Sequence, residues 1–145
     1  MKVRDQSEMS LGDWTEGTAL AVQKRGPVTR EDLARYAQAS GDNNRIHLDD
    51  EFAKQAGFPS VIAHGMLSMA YLADLVRFNF PEGTYDVRRL SSRFRRVIFP
   101  GDELDLGGTV KKVESNQVLT VHLWVKNQKG EITTEGEVEL SPVKH

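Results

Sequence analysis

The chain predicts an α+β fold in which an antiparallel sheet wraps around one long apolar helix, and three observations predict it. Hydrophobic residues recur with a helical period before Pro81-Glu82-Gly83 and alternate with period 2 after it. The longest helical stretch, about residues 64–78, is apolar on most sides: between Met66 and Val76 only Ser68 and Asp74 are clearly polar. A surface helix carries one apolar stripe, so this one is expected to be enclosed. The turns between the later strands are too short for crossover helices, which leaves antiparallel pairing as a meander. An apolar sheet face and a helix apolar on most sides bury each other.

The elements follow in order. Residues 19–24 read as a short first strand, broken by Gly26-Pro27. Thr29 is placed to cap a helix, with Asp32 in the position of a capping-box acid, and Gly41 ends that helix after Ser40. Asp42-Asn43-Asn44-Arg45 is a turn-forming stretch. A short helix over 50–56 stops at Gly57, and the long apolar helix follows. Strands are predicted over 86–98, 102–113, 118–126 and 133–140, with Pro100-Gly101-Asp102, Ser115-Asn116 and Lys129-Gly130 in the turns.

Composition narrows the function classes. A length of 145 residues predicts a single domain, 1–145, large enough to bury a core without staples. The absence of cysteine excludes disulfides, a thiolate zinc site and a Cys nucleophile. Nineteen basic against 21 acidic residues give no electrostatic case for binding nucleic acid. The N-terminal residues 1–8 are mixed and charged, and the most apolar run, 61–76, is shorter than the roughly 20 residues that cross a bilayer. The expected protein is soluble and cytoplasmic, with no membrane partner.

The chemistry lies in two blocks, one running from Tyr36 to His47 and the other Ile62-Ala63-His64-Gly65-Met66-Leu67. Asp42 and His47 stand five residues apart across a loop that can bring both side chains to one point. A carboxylate and an imidazole converging on one water form a general acid/base pair. His64-Gly65 falls at the expected start of the apolar helix, where unpaired N–H groups and the helix dipole favour developing negative charge. Taken singly, each has a plain structural reading: Asp42 as a turn former, His47 as a core histidine, His64 as a helix cap.

Read together, the blocks resemble the MaoC-like dehydratase family, the hot-dog-fold R-specific enoyl-CoA hydratases and 3-hydroxyacyl-thioester dehydratases. That family's signature reads approximately Tyr-x-x-x-Ser-Gly-Asp-x-Asn-Pro-Ile/Leu-His-x-Asp, then Phe-Ala, then Ala-His-Gly-Met. Tyr36, Ser40, Gly41, Asp42, Asn44, Ile46, His47, Asp49, Phe52, Ala53, Ala63, His64, Gly65 and Met66 match it in order. Arg93-Phe94 and the turn at Phe99-Pro100-Gly101-Asp102 add to a resemblance covering about residues 10–140.

The resemblance implies a hot-dog fold and a hydro-lyase acting on enoyl or 3-hydroxyacyl thioesters of CoA or acyl carrier protein. Asp42 and His47 would activate water, the Gly65 N–H would polarise the thioester carbonyl, and Ser40, Asn44 and His64 would support the loop. It also implies a homodimer or higher homo-oligomer, with sheets continuing across the interface and Gly65 of one subunit near Asp42 of the other. No cofactor is expected. Asp49 and Asp50 beside His47 are metal-ligating types, but no further ligand spacing is evident, and no metal is expected.

Three features stand apart from the signature. Arg45 occupies the position of the family's Pro, freeing the backbone and bringing a charge expected to act on Asp42. Residues 71–74 lack the serine some members carry there. Arg88, Arg89, Arg93, Arg95 and Arg96 form a cationic run, in which Arg93 and Arg95 would share a face and are candidate phosphate contacts, ion pairs being the plain alternative. Two other functions remain open: a non-catalytic acyl-binding subunit of a heteromeric dehydratase, which would be expected to lack the Asp-His pair, and an acyl-CoA thioesterase using Asp74 of the long helix.

Overall fold

The structure is a computed structural model and describes residues 13–143. The reading of residues 1–8, and the first residues of the family resemblance, lie outside the described residues.

Helix α1, Arg30–Ser40, starts as its cap requires: the Thr29 hydroxyl accepts the Asp32 N–H at 3.0 Å and the Asp32 carboxylate accepts the Thr29 N–H at 2.9 Å. Gly41, at φ 79°, takes the left-handed conformation that ends it. A 3-10 turn, Arg45–His47, leads to α2, Asp50–Gln55, which Asp49 caps by accepting the Glu51 and Phe52 N–H groups. Helix α3, Gly65–Asn79, is the enclosed one, with Leu67, Leu72, Leu75 and Val76 all buried.

Five strands form one antiparallel sheet: β1 (Gln23–Arg25), β2 (Tyr85–Phe94), β3 (Leu104–Val113), β4 (Leu119–Lys126) and β5 (Ile132–Pro142). On β4 the inner residues Leu119, Val121, Leu123 and Val125 are fully buried, while Thr120, His122, Trp124 and Lys126 alternate outward. The helix lies so close to this inner face that a Cβ on Gly136 would stand 2.9 Å from Leu72 Cδ1. Asn79, buried at the far end of α3, bonds both the N–H and the carbonyl of Ala21, at 2.8 and 3.1 Å, and so ties the incoming chain to the helix.

The strand order, β1-β3-β4-β5-β2, corrects the simple meander. Only β3, β4 and β5 follow one another; β2 pairs with β5, with Val87 opposite Leu140 and Phe94 opposite Thr134. A sheet curled around a helix puts the strand leaving that helix at one edge, and the chain then crosses to the other side of the sheet. The crossing also shortens β2, expected to run to residue 98. The Arg95 and Arg96 N–H groups both turn to the Thr133 carbonyl, and the Ile98 carbonyl bonds the Ala63 N–H at 2.8 Å. The first strand is likewise shorter than expected, with residue 19 making only an isolated bridge to Thr109. Among the described residues no helix is long and apolar enough to cross a membrane.

Candidate active site

The loop after α1 is folded by its own polar side chains. The Ser40 hydroxyl accepts the Asp42 N–H at 3.2 Å, Asp42 Oδ1 accepts the Asn44 N–H at 3.2 Å, and Asn44 Oδ1 accepts the Ile46 N–H at 3.0 Å. Polar residues two apart each close a small turn, which is why this stretch is neither helix nor strand. The supporting roles expected of Ser40 and Asn44 rest on these bonds. One Asp42 carboxylate oxygen is engaged, and the other, Oδ2, lies 3.9 Å from His47 Nε2. That exceeds a hydrogen bond and is short enough for one water oxygen to bond both groups.

His47 is oriented by the strand-like segment before α3. Its Nδ1 lies 2.7 Å from the Ile62 carbonyl, which only accepts, so in the neutral ring Nδ1 carries the proton and Nε2 presents a bare lone pair towards Asp42. The His47 side chain is 11% exposed and that of Asp42 is 54% exposed. The imidazole is thus sheltered while the carboxylate faces outward.

His64 ends the segment, and it is not a side-chain cap of α3, because its side chain makes no capping bond. Its Nε2–H donates to the Asp42 carbonyl at 3.0 Å, and its ring stacks on His47 with centroids 3.7 Å apart and planes 23° apart. Tyr36 meets the His64 ring edge-on at 4.9 Å. Burial pushes the His64 pKa down, and the neighbouring His47 adds to this; the bond to the Asp42 carbonyl opposes both.

Gly65 opens α3 beside this pair, and Phe94 lies against it: a Cβ there would come within 2.8 Å of Phe94 Cε2. His47, His64, Gly65, Ser68, Phe94 and Arg95 line one cleft of about 290 Å³. Within one chain, Gly65 directly follows the histidine whose ring holds the Asp42 carbonyl. Ser68, buried one turn into α3, supplies a cleft serine earlier on the helix than the 71–74 stretch.

Arg45 forms its ion pair with Asp49. Its guanidinium bonds Asp49 at 2.8 Å and covers the Phe52 ring at 4.9 Å, and it is the Asp49 carboxyl that it holds below the usual range. The freer backbone is offset by a side chain that pins the turn to α2. Asp50 is lowered too, chiefly by its bond to Arg30 and then by the Val61 N–H. Both acids beside His47 are thus occupied by caps and arginines.

Asp42, His47 and His64 each offer a ligand atom within 4.8 Å of the others. An ion bound to an imidazole lies in the ring plane about 2.0 Å from nitrogen. Two rings stacked face to face share no such point, so one ion would reach both histidines only if a ring turned.

The arginine run divides. Arg95 lines the cleft and bonds Glu135 through Nε and Nη2, at 3.0 and 2.8 Å, and Arg96 lines it as well, 3.4 Å from Glu131. Arg93 lies instead in a shallow groove on the outer sheet face with Ser91 and His122. Arg95 sits past the end of β2, so strand alternation does not relate the two. Two contacts escaped sequence reasoning, the Ile62 carbonyl on His47 and the stacking of His64 on the same ring; His64 itself was expected as loop support from its place in the signature.

Comparison with known proteins bears on the family and the fold. The MaoC like domain profile matches residues 13–141. Peroxisomal enoyl-CoA hydratase 2 of Arabidopsis thaliana is 34% identical over 96 residues, 61% of this chain and 31% of that protein, so this chain spans under a third of its length. The unliganded R-hydratase PhaJ1 from Pseudomonas aeruginosa superposes with a TM-score of 0.83 and 27% identity, covering 94% of this chain and 86% of that one. The (R)-hydratase from A. caviae involved in PHA biosynthesis gives 0.81 and 25%, covering 90% and 98%. The sheet and its enclosed helix are the hot-dog fold, and the chain belongs to the MaoC-like domain family.

Proposed function

We propose that the chain is a hydro-lyase that adds water to a trans-2-enoyl thioester, or removes it from the 3-hydroxyacyl thioester. The observation that carries this is the bare Nε2 of His47 facing the Asp42 carboxylate 3.9 Å away, beside the cleft that Gly65 lines. In hydration, a water held between these two groups attacks C3 while His47 Nε2 takes its proton and Asp42 holds its other hydrogen. The electron pair moves to the thioester carbonyl oxygen, which the Gly65 N–H stabilises at the start of α3. The enolate then collapses as C2 takes back a proton from the dyad, and dehydration is the reverse.

The carrier is CoA or an acyl carrier protein, and Arg95 at the cleft, with Arg93 nearby on the sheet, would meet its phosphates. A homodimer is part of this reading: among the described residues β2 pairs on one side alone, with Val87 and Phe94 about half exposed, and a second copy would continue the sheet there.

Nothing in the site favours the two alternatives. Asp42 and His47 are both present, unlike in a pure binding subunit, and Asp74 is engaged with Arg77 and with Arg25 rather than facing the cleft. The test is to follow enoyl absorbance and free CoA together on crotonyl-CoA and a long-chain enoyl-CoA. Loss of absorbance without free CoA is expected. Free CoA release would mean hydrolysis, and no change on either thioester would bring the binding-subunit reading forward.

A further inference from the structure

His64 touches both members of the proposed dyad at once. Its Nε2–H holds the Asp42 main chain at 3.0 Å, and its ring forms the floor on which the His47 ring lies, 3.7 Å away and 23° from parallel. Tyr36 closes the other approach, edge-on at 4.9 Å. The residue is 2% exposed, and its second nitrogen, Nδ1, is buried with no hydrogen-bond partner among the described residues. A buried polar atom left unpaired is costly and calls for a reason.

The reason lies in the proton count. With Nε2 donating to a carbonyl, the neutral ring has its lone pair on Nδ1. Charging His64 would add a proton to Nδ1, where no acceptor stands, and would place a positive ring directly beneath His47. A neutral ring, by contrast, offers its π-face to the imidazolium that His47 becomes when it takes a proton from water. Asp42, His47 and Tyr36 are the titratable groups against this ring, and only a neutral His64 suits both of its contacts.

We propose that His64 is the positioning residue of the site: a permanently neutral imidazole that fixes the Asp42 backbone through Nε2–H and the plane of the His47 ring through stacking. This rests on the hydro-lyase reading and goes beyond support of the loop, because it assigns His64 a fixed tautomer and two separable tasks.

The tasks separate by substitution. Gln at position 64 keeps a donor near the place of Nε2 and removes the ring, Phe keeps the ring and removes the donor, and Ala removes both. H64Q and H64F are each expected to lose about tenfold in kcat, the rate equivalent of one ordinary hydrogen bond, with KM within about threefold. H64A is expected to lose about a hundredfold, the product of the two. Circular dichroism identifies the variants that fold. Folded H64Q and H64F with kcat within twofold of wild type, or losses confined to KM, would overturn the proposal.

A second measurement needs no activity and so separates this proposal from the hydro-lyase reading. Nitrogen-15 imidazole spectra of the wild-type protein at pH 7 are expected to show His64 as a single neutral Nε2–H tautomer and His47 protonated on Nδ1. A charged His64, or one protonated on Nδ1, would overturn the assignment even if hydratase activity were present. The expected tautomers in a protein inactive on every thioester would leave the positioning geometry standing and remove the reaction instead.

Discussion

Gly65→Ala is the substitution whose consequence the structure determines most fully. The new methyl carbon would stand 2.8, 3.0 and 3.1 Å from three atoms of the Phe94 ring, where carbon contacts normally settle near 3.5–4.0 Å. Something must move by several tenths of an ångström. The backbone of α3 is held by its helix, whereas Phe94 is half exposed at the end of the sheet-edge strand, so the ring swings and the fold survives. The stability loss is expected to stay below about 1.5 kcal/mol, since glycine is the poorer helix former and alanine recovers part of the cost. The effect on turnover is larger, because both the methyl and the displaced ring enter the approach to the Gly65 N–H. Losing one such donor costs about 10²–10³-fold in kcat. The assay is steady-state hydration of crotonyl-CoA by G65A, F94A and the double variant, each with a urea melt. A G65A enzyme within threefold of wild type would refute the placement of the carbonyl at Gly65. Full recovery in the double variant would show that the ring, and not the close approach to the backbone, caused the loss.

Other consequences follow from single contacts. Leu72→Ala, which empties a fully buried site beneath Gly136, is expected to destabilise the protein by about 2–5 kcal/mol in urea denaturation. Thr29→Ala removes one half of the capping box and should cost about 0.5–2 kcal/mol without altering KM. Arg45→Ala breaks an exposed ion pair with Asp49, so little shift of the urea midpoint and less than a threefold change in kcat are expected from the melt and the assay. His64 has a pKa lowered by folding, so the unfolded chain binds the extra proton and stability must fall as pH drops below the unfolded histidine value of about 6.5. The urea midpoint between pH 7.5 and 5 should fall less steeply in H64Q than in wild type. Asp49 and Asp50, lowered as well, contribute stability that is lost only as pH falls below the unfolded carboxylate value of about 4 towards their lowered values, which keeps the two effects apart.

What could be read from the residues was whatever depends on near neighbours. Thr29, Asp32 and Gly41 act within one turn of chain, and α1 begins and ends where they place it. The Ser40–Asn44 turns use side chains two residues from the groups they bond, so the exposed Asp42 carboxylate was legible too. Pairing between distant segments was not. Nothing local shows that β2 returns to β5 rather than to β3, or that the alternation around Val97 and Ile98 serves a crossing loop that bonds Ala63. The bond of Arg45 to Asp49 belongs with these, because the cap of α2 that holds the guanidinium takes its place only in the fold. The stacking of His64 on His47 joins residues from two segments that meet only once the chain is folded.

The central claim is that Asp42 and His47 together activate water, and the most direct measurement is the rate of crotonyl-CoA hydration by D42N and H47Q beside wild type. The Asp42 side chain is half exposed and that of His47 lines the cleft, and neither belongs to the apolar core, so both variants should fold. Acid/base groups of this kind contribute about 10²–10⁴-fold, and each variant is predicted to lose at least a hundredfold in kcat with crotonyl-CoA KM little changed. A wild type that hydrates crotonyl-CoA while either folded variant keeps a tenth or more of its kcat would contradict the claim.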